Sequence, residues 1–124
     1  MKKLVLTILL IVTSFAAAAQ AKISFESETV NFGKIAIGSD GIRVFEFTNT
    51  GNVPLIISEV KSSCNCTVPK KPEGPIAPGM SNTIQVEYDT NRVGPIRKTI
   101  TVYSNATEGI KALKIKGEVL AAGQ

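Results

Sequence analysis

The chain has 124 residues, with 14 Lys and Arg against 10 Asp and Glu, and neither His nor Trp. That length suits one domain and is short for two. The missing His removes the commonest general base, and a net charge of +4 beside five Phe and two Tyr is too thin a basic, stacking surface for a nucleic-acid reader.

Met1-Lys2-Lys3 is followed by an almost entirely apolar run over residues 4–12 and by four alanines, residues 16–19. A basic start, an apolar centre and Ala17-x-Ala19 before Gln20 predict a secretory signal peptide over residues 1–19. A membrane span needs about 20 apolar residues. This run meets Gln20 first, so no stable span is expected in the mature form. No Cys follows the cleavage site, which argues against a lipid anchor. Removal takes Lys2 and Lys3 and no acid, so the net charge falls to +2. The expected location is the periplasm or the cell exterior, where a disulfide is chemically allowed.

Residues 20–124 read as a single domain whose apolar residues recur with period two. Ile23–Phe25 and residues 29–32 are short strands with the character of sheet edges. After the turn cluster Gly38-Ser39-Asp40-Gly41, residues 42–48 place Phe45 and Phe47 on one face. Asn49-Thr50-Gly51-Asn52 is a turn: Asn tolerates left-handed geometry and Gly favours it. Residues 54–61, with Leu55-Ile56-Ile57, suit a strand covered on both sides for part of its length. Residues 64–75 are expected to be irregular, because Pro69, Pro72, Gly74 and Pro75 forbid a long ladder. Pro78-Gly79 occupies the two central positions of a type II turn. Residues 83–88 bring Ile84, Val86 and Tyr88 to one face, and residues 96–103 turn Ile100 and Val102 inward. Leu113, Ile115 and Val119 then alternate with Lys114 and Lys116. About seven short antiparallel strands without a helical stripe predict an all-β, two-sheet sandwich. An antibody-type domain is disfavoured, since Trp is absent and the two cysteines are too close in sequence to bridge two sheets.

The order of these residues carries a resemblance. Asn31-Phe32-Gly33, Phe45-x-Phe47-x-Asn49-Thr50-Gly51 and Pro54-Leu55-x-Ile57 come first. Ser63-Cys64-x-Cys66-Thr67, Ile76-x-Pro78-Gly79, Gly94, Lys98-x-Ile100-x-Val102, Ser104-Asn105 and Leu113-x-Ile115-x-Gly117 follow. The chain resembles, over about residues 26–119, the bacterial family called Domain of Unknown Function 1573, common in exported proteins of Bacteroidetes. That family is similar to the immunoglobulin-like domains of ciliary and major-sperm-protein type. The resemblance implies an immunoglobulin-like sandwich and no activity. One departure is Asn65, where the family usually has Gly; a left-handed Asn would preserve the turn.

Cys64 and Cys66 are the one feature with reactive potential. A local disulfide requires Asn65 to bend the chain until the Cα atoms lie within about 7 Å. It would close a three-residue loop, for which chain entropy supplies about 1.6 kcal/mol. Zinc wants four ligands and finds two thiolates and no His, although Cu(I), or a site shared by two chains, could accept them. A thiol-disulfide catalyst needs a lowered thiolate pKa, for which Lys61 and Lys70 are close in sequence but no helix is expected. The plainest alternative is a pair of small residues packed at the mouth of the sandwich. Ser58-Glu59-Val60-Lys61 matches a Ser–Lys dyad formally, but residues three apart on a strand point to opposite faces. No catalytic residue, metal site or cofactor is therefore expected. The sequence reads as an exported, non-catalytic module that meets another envelope protein through an exposed strand edge or loop, and no nucleic acid. A thiol redox or Cu(I)-handling role for Cys64 and Cys66 is the alternative.

Overall fold

The computed structural model describes residues 19–123, so the expected signal peptide, Ala19 apart, lies outside the described residues. Period-two alternation produces eight strands: β1 (Ile23–Phe25), β2 (Thr29–Ala36), β3 (Ile42–Asn49), β4 (Ile57–Ser62), β5 (Thr67–Lys70), β6 (Ser81–Tyr88), β7 (Gly94–Ser104) and β8 (Ile110–Leu120). They form two four-stranded sheets, ordered β1-β3-β6-β5 and β2-β8-β7-β4. Among the described residues the chain passes between the sheets at every connection except β5–β6 and β7–β8, which makes an immunoglobulin-like sandwich. All pairings are antiparallel except that of β2 with β8, which is parallel.

The core fills the space between the sheets. Phe45 and Phe47 of β3 and Ile84, Val86 and Tyr88 of β6 face Ile96, Ile100 and Val102 of β7 and Leu113, Ile115 and Val119 of β8, all buried. Each such side chain contributes about 1.5–3 kcal/mol through removal from water. Phe45 stands opposite Ile84, and Ile100 opposite Leu113. A slip of one residue would turn these rows toward solvent, so burial itself holds the register. Arg43 shares the inward parity of Phe45 but sits where β1 has ended. Its guanidinium lies 4.4 Å above the Phe32 ring and donates to the Ile42 and Asp40 carbonyls.

Three details differ from the sequence reading. Residues 67–70 form strand β5 despite Pro69, because β5 is an edge strand. The Asp89 N–H donates to the Cys66 carbonyl, so alternation turns the Pro69 nitrogen away from β6, where no donor is needed. Strand β4 begins at Ile57, and Ile56 is half exposed while Leu55 and Ile57 are buried, so this run is covered on one side. Neither Asn49, Gly51 nor Asn65 is left-handed: among the described residues positive φ occurs at other glycines alone. Gly51 is required by proximity instead, since a Cβ there would lie 2.1 Å from the Gln20 carbonyl oxygen. Gly79, at φ 80°, does take the type II position, and the Met80 N–H closes the turn on the Ala77 carbonyl at 3.0 Å.

Asn49 ends β3 fully buried, and all four hydrogen-bonding positions of its amide are used. Nδ2 donates to the Val53 and Ile76 carbonyls at 2.8 and 3.0 Å. Oδ1 accepts from the Gly51 and Lys22 N–H groups at 2.9 and 3.4 Å. Its own backbone accepts from Gly79 and donates to Met80. One residue thus joins the start of β1, the 50–56 connection and Ile76 through its side chain, and the Pro78-Gly79 turn through its backbone. Replacing Asn49 by Ala leaves the Val53 carbonyl and the Gly51 and Lys22 N–H groups without this partner, while the Ile76 carbonyl keeps the Leu55 N–H. Because each unsatisfied group costs about 1–3 kcal/mol, Asn49→Ala is expected to lower stability in urea unfolding by about 3 kcal/mol or more; a loss below about 1 kcal/mol would contradict this role.

Candidate functional site

Strand β4 lies at the edge of one sheet and β5 at the edge of the other, so residues 63–66 carry the chain across the open side of the sandwich. The crossing is pinned at both ends. The Ser63 N–H donates to the Thr99 carbonyl at 3.0 Å, and Ser63 Oγ accepts from the Thr99 N–H at 3.1 Å. At the far end the Cys66 carbonyl accepts from Asp89 at 2.8 Å. Between them Cys64 and Cys66 are joined by a disulfide with Cα atoms 5.3 Å apart. The Cys64 N–H donates to Ser62 Oγ, the Cys66 N–H to Cys64 Sγ at 3.0 Å, and the Thr67 N–H to the Cys64 carbonyl at 3.4 Å. These bonds hold the bend at Asn65 without a left-handed residue. Cys66 belongs to the core at 3% exposure, whereas Cys64 is half-buried.

The surroundings do little to activate a thiol. The loop lies between two strands, so it has no helix N-terminus to stabilise a thiolate. The Lys61 ammonium is directed elsewhere, 3.6 Å from Glu59 and 5.8 Å from the centre of the Tyr103 ring. Among the described residues no three His, Cys, Asp or Glu side chains converge as a metal would require. Ser58 and Lys61 are not brought together: a bulge in β4 lets Ser58 Oγ donate to the Tyr103 carbonyl at 3.1 Å.

Beside this crossing lies an open edge, on a different strand from the short segments near Ile23 to Phe32 that the sequence marks as the receptive edge. An unpaired strand edge invites addition of another strand; the three-residue β1 leaves a short edge open, and β2, β3 and β5 are each interrupted. On β2, Ser27 Oγ bonds both the N–H and the carbonyl of Thr29, and a bulge interrupts the strand between Asn31 and Lys34. Where β3 outruns β1, Asp40 accepts from the Ile42 N–H and Arg43 covers the Ile42 carbonyl. On β5 the outward position is Pro69, which has no N–H. Strand β4 is different. Because Ser63 points its N–H at β7, alternation along this ladder turns the backbone groups of Val60 and Ser62 outward. No strand covers them among the described residues, and the nearest cover is Lys71, whose ammonium donates to the Ser58 carbonyl at 3.3 Å. A shallow groove of about 320 Å³ runs along this edge, lined by Val60, Ser62, Cys64, Val68 and Pro69 among others. Val68 is 64% exposed. The β4 edge, the groove and the bridged loop form one continuous surface.

The model of a family described as a protein of unknown function, DUF1573, matches residues 23–119. The chain belongs to that family. Among solved structures it is similar to a protein of unknown function from Porphyromonas gingivalis, at TM-score 0.72 and 22% identity over 85% of this chain. This chain spans 51% of that protein's length. It is also similar to the ASH/PapD-like domain 7 of human CEP192, at TM-score 0.68 and 10% identity, covering 90% of this chain and 94% of that one. The periplasmic chaperone SfaE matches at TM-score 0.53 and 13% identity, over 82% of this chain and 58% of its own. No curated protein matches the sequence. Identities this low speak for the fold alone. They agree that the chain has an immunoglobulin-like fold, similar to that of a PapD-like domain.

The bridge closes a three-residue loop, so its stabilisation through chain entropy is small. Replacing both Cys64 and Cys66 by Ala is expected to leave the far-ultraviolet circular dichroism of the sandwich unchanged and to lower stability by about 2 kcal/mol. Unfolding of the double variant at room temperature would show that the crossing depends on the bridge.

Proposed function

We propose that this protein is an exported, non-catalytic binding module of the cell envelope that receives an extended segment of another protein along the β4 edge. The observation carrying the reading is the pair of outward backbone positions at Val60 and Ser62 beside a groove, on a longer edge than the three-residue β1 and without the interruptions at Ser27, Arg43 and Pro69. Strand addition takes its affinity from main-chain hydrogen bonds and its selectivity from pockets for alternate side chains. Here the groove beside Cys64 and Val68 supplies such a pocket. Export rests on the signal-peptide pattern of residues 1–19, with the mature domain over residues 20–124. The fold is one that a periplasmic chaperone also uses. No helix among the described residues is long and apolar enough to cross a membrane. The absence of His and the scatter of the acids support a role without catalysis.

The thiol redox or Cu(I) reading rests on the half-exposure of Cys64. The bridge, the buried Cys66 and the pairing of Lys61 with Glu59 weigh against it.

The two positions that carry the proposal provide its test. Val60→Pro removes one outward N–H and leaves the ladder to β7 intact, since that N–H takes no part in it. A photo-crosslinking residue at position 68 of the exported protein is expected to capture a partner in the envelope, and Val60→Pro to abolish the adduct while preserving the fold. Equal capture by the Val60→Pro variant, or no adduct at all, would overturn the proposal.

A further inference from the structure

The outward face of the β2-β8-β7-β4 sheet holds a second feature, independent of the β4 edge. Ladder register sets Arg97 of β7 directly opposite Lys116 of β8, and Thr99 opposite Lys114. On the other side of β8, Asn31 stands beside Lys116 and Thr29 beside Lys114. Three cations thus occupy a small grid, about 5 Å apart across strands and about 7 Å apart along β8. Like charges directly opposite on a sheet are destabilising.

Three other cations have acid partners, whereas Lys34 of this sheet, like the grid, forms no ion pair among the described residues. Lys111 lies 3.1 Å from Glu28 and 3.2 Å from Glu108, and hydrogen bonds to those carboxylates hold its ammonium above the usual lysine range. Lys61 pairs with Glu59, and Arg92 with Asp89. Among the described residues Arg97, Lys114 and Lys116 form no ion pair; Lys114 Nζ donates to Thr99 Oγ1 at 2.8 Å. The nearest acid in register is Glu118, one row further, between Pro95 and Lys34. Two shallow grooves meet at Arg97 and Lys116, one continuing past Thr99 and Lys114 and the other past Asn31 and Pro95 to Glu118, the single acid that lines either. Acids stand on both outward faces, with Glu59 and Glu118 on this one. The outward side of the other sheet carries Glu46 and Glu87, and Glu26 hydrogen-bonds Glu46, holding its carboxyl above the usual carboxylate range.

We propose that Arg97, Lys114 and Lys116 form a binding site for a soluble multivalent phosphate, with Thr99 and Asn31 as neutral hydrogen-bonding neighbours. The ligand supplies the negative charge that this register lacks, with two or more phosphate groups spread across the grid. A bilayer surface is the poorer fit, because among the neighbours Thr99, Asn31 and Pro95 the small Pro95 ring alone is apolar. Ile110, the exposed apolar residue of this face, sits at its opposite end across from Tyr103.

Titration calorimetry of the purified protein with sodium tripolyphosphate tests the site. Binding is expected at low ionic strength and should weaken as salt rises. Because hydrogen bonds to charged groups are individually strong, Lys116→Glu and Arg97→Glu should each weaken binding by about tenfold or more. Each variant should also keep or raise the thermal midpoint of the ligand-free protein, since a like-charge pair becomes an opposite one. Lys116→Gln provides the same binding test should a charge reversal fail to fold. Lys22→Glu makes the same change of net charge outside this sheet and should leave binding within about twofold. Absence of binding, equal weakening by Lys22→Glu, or binding to phosphatidylglycerol vesicles without binding to tripolyphosphate would overturn the proposal.

Discussion

A buried amide that satisfies every one of its hydrogen-bonding positions is the constraint on which this sandwich turns. Asn49 lies at the end of β3, where the chain must leave one sheet and reach the other. Its side chain gathers backbone from Lys22, Gly51, Val53 and Ile76, segments that share no ladder. A polar group in an apolar interior is costly unless fully paired, and a fully paired one selects a single arrangement. The Ile76 strand bridge to Leu55 then brings the chain to Ile57, where β4 starts. The position of the β4 edge is in this sense a consequence of Asn49.

The bridged Cys64-Asn65-Cys66 loop has a different scale of influence. It shapes one crossing between the sheets, which Ser63 and Asp89 already hold from either end. A three-residue ring adds little to global stability, so its value is local: it fixes the floor of the groove beside β4. Edge protection elsewhere is uneven in a way that aggregation alone does not require. Ser27, Asp40, Arg43 and Pro69 each interrupt an edge by a separate device, while Val60 and Ser62, like Ile23 and Phe25 on the short β1, keep their N–H and carbonyl groups pointing outward. The cations at Arg97, Lys114 and Lys116 show the same selectivity, left without acids on a surface where Lys111 has two.

Much of this architecture was legible in the sequence because burial and period-two alternation report the same fact. Phe45 and Phe47, Ile84 to Tyr88, and Leu113 to Val119 all face the core as their spacing required. The type II turn at Pro78-Gly79 was equally legible, since few residues tolerate its geometry. What failed was local inference detached from neighbours. Pro69 argued against a strand, yet an edge needs no N–H on its open side. Gly51 suggested a left-handed turn, but its role is to let Gln20 approach. Ile56 looked buried because its two neighbours are. The open stretch of β4 and the Arg97–Lys116 juxtaposition were out of reach, since both depend on which strands become neighbours, and pairing between distant segments leaves no mark on the composition of either.

Amide hydrogen exchange across β4 in the isolated protein addresses the open edge most directly. In a strand bonded on one side alone, protection must alternate. The amides of Lys61 and Ser63, which point at β7, are expected to exchange slowly, and those of Val60 and Ser62 at rates near those of an unprotected chain. Slow exchange at all four would mean that something already covers this edge, and would contradict the claim that the protein presents it to a partner.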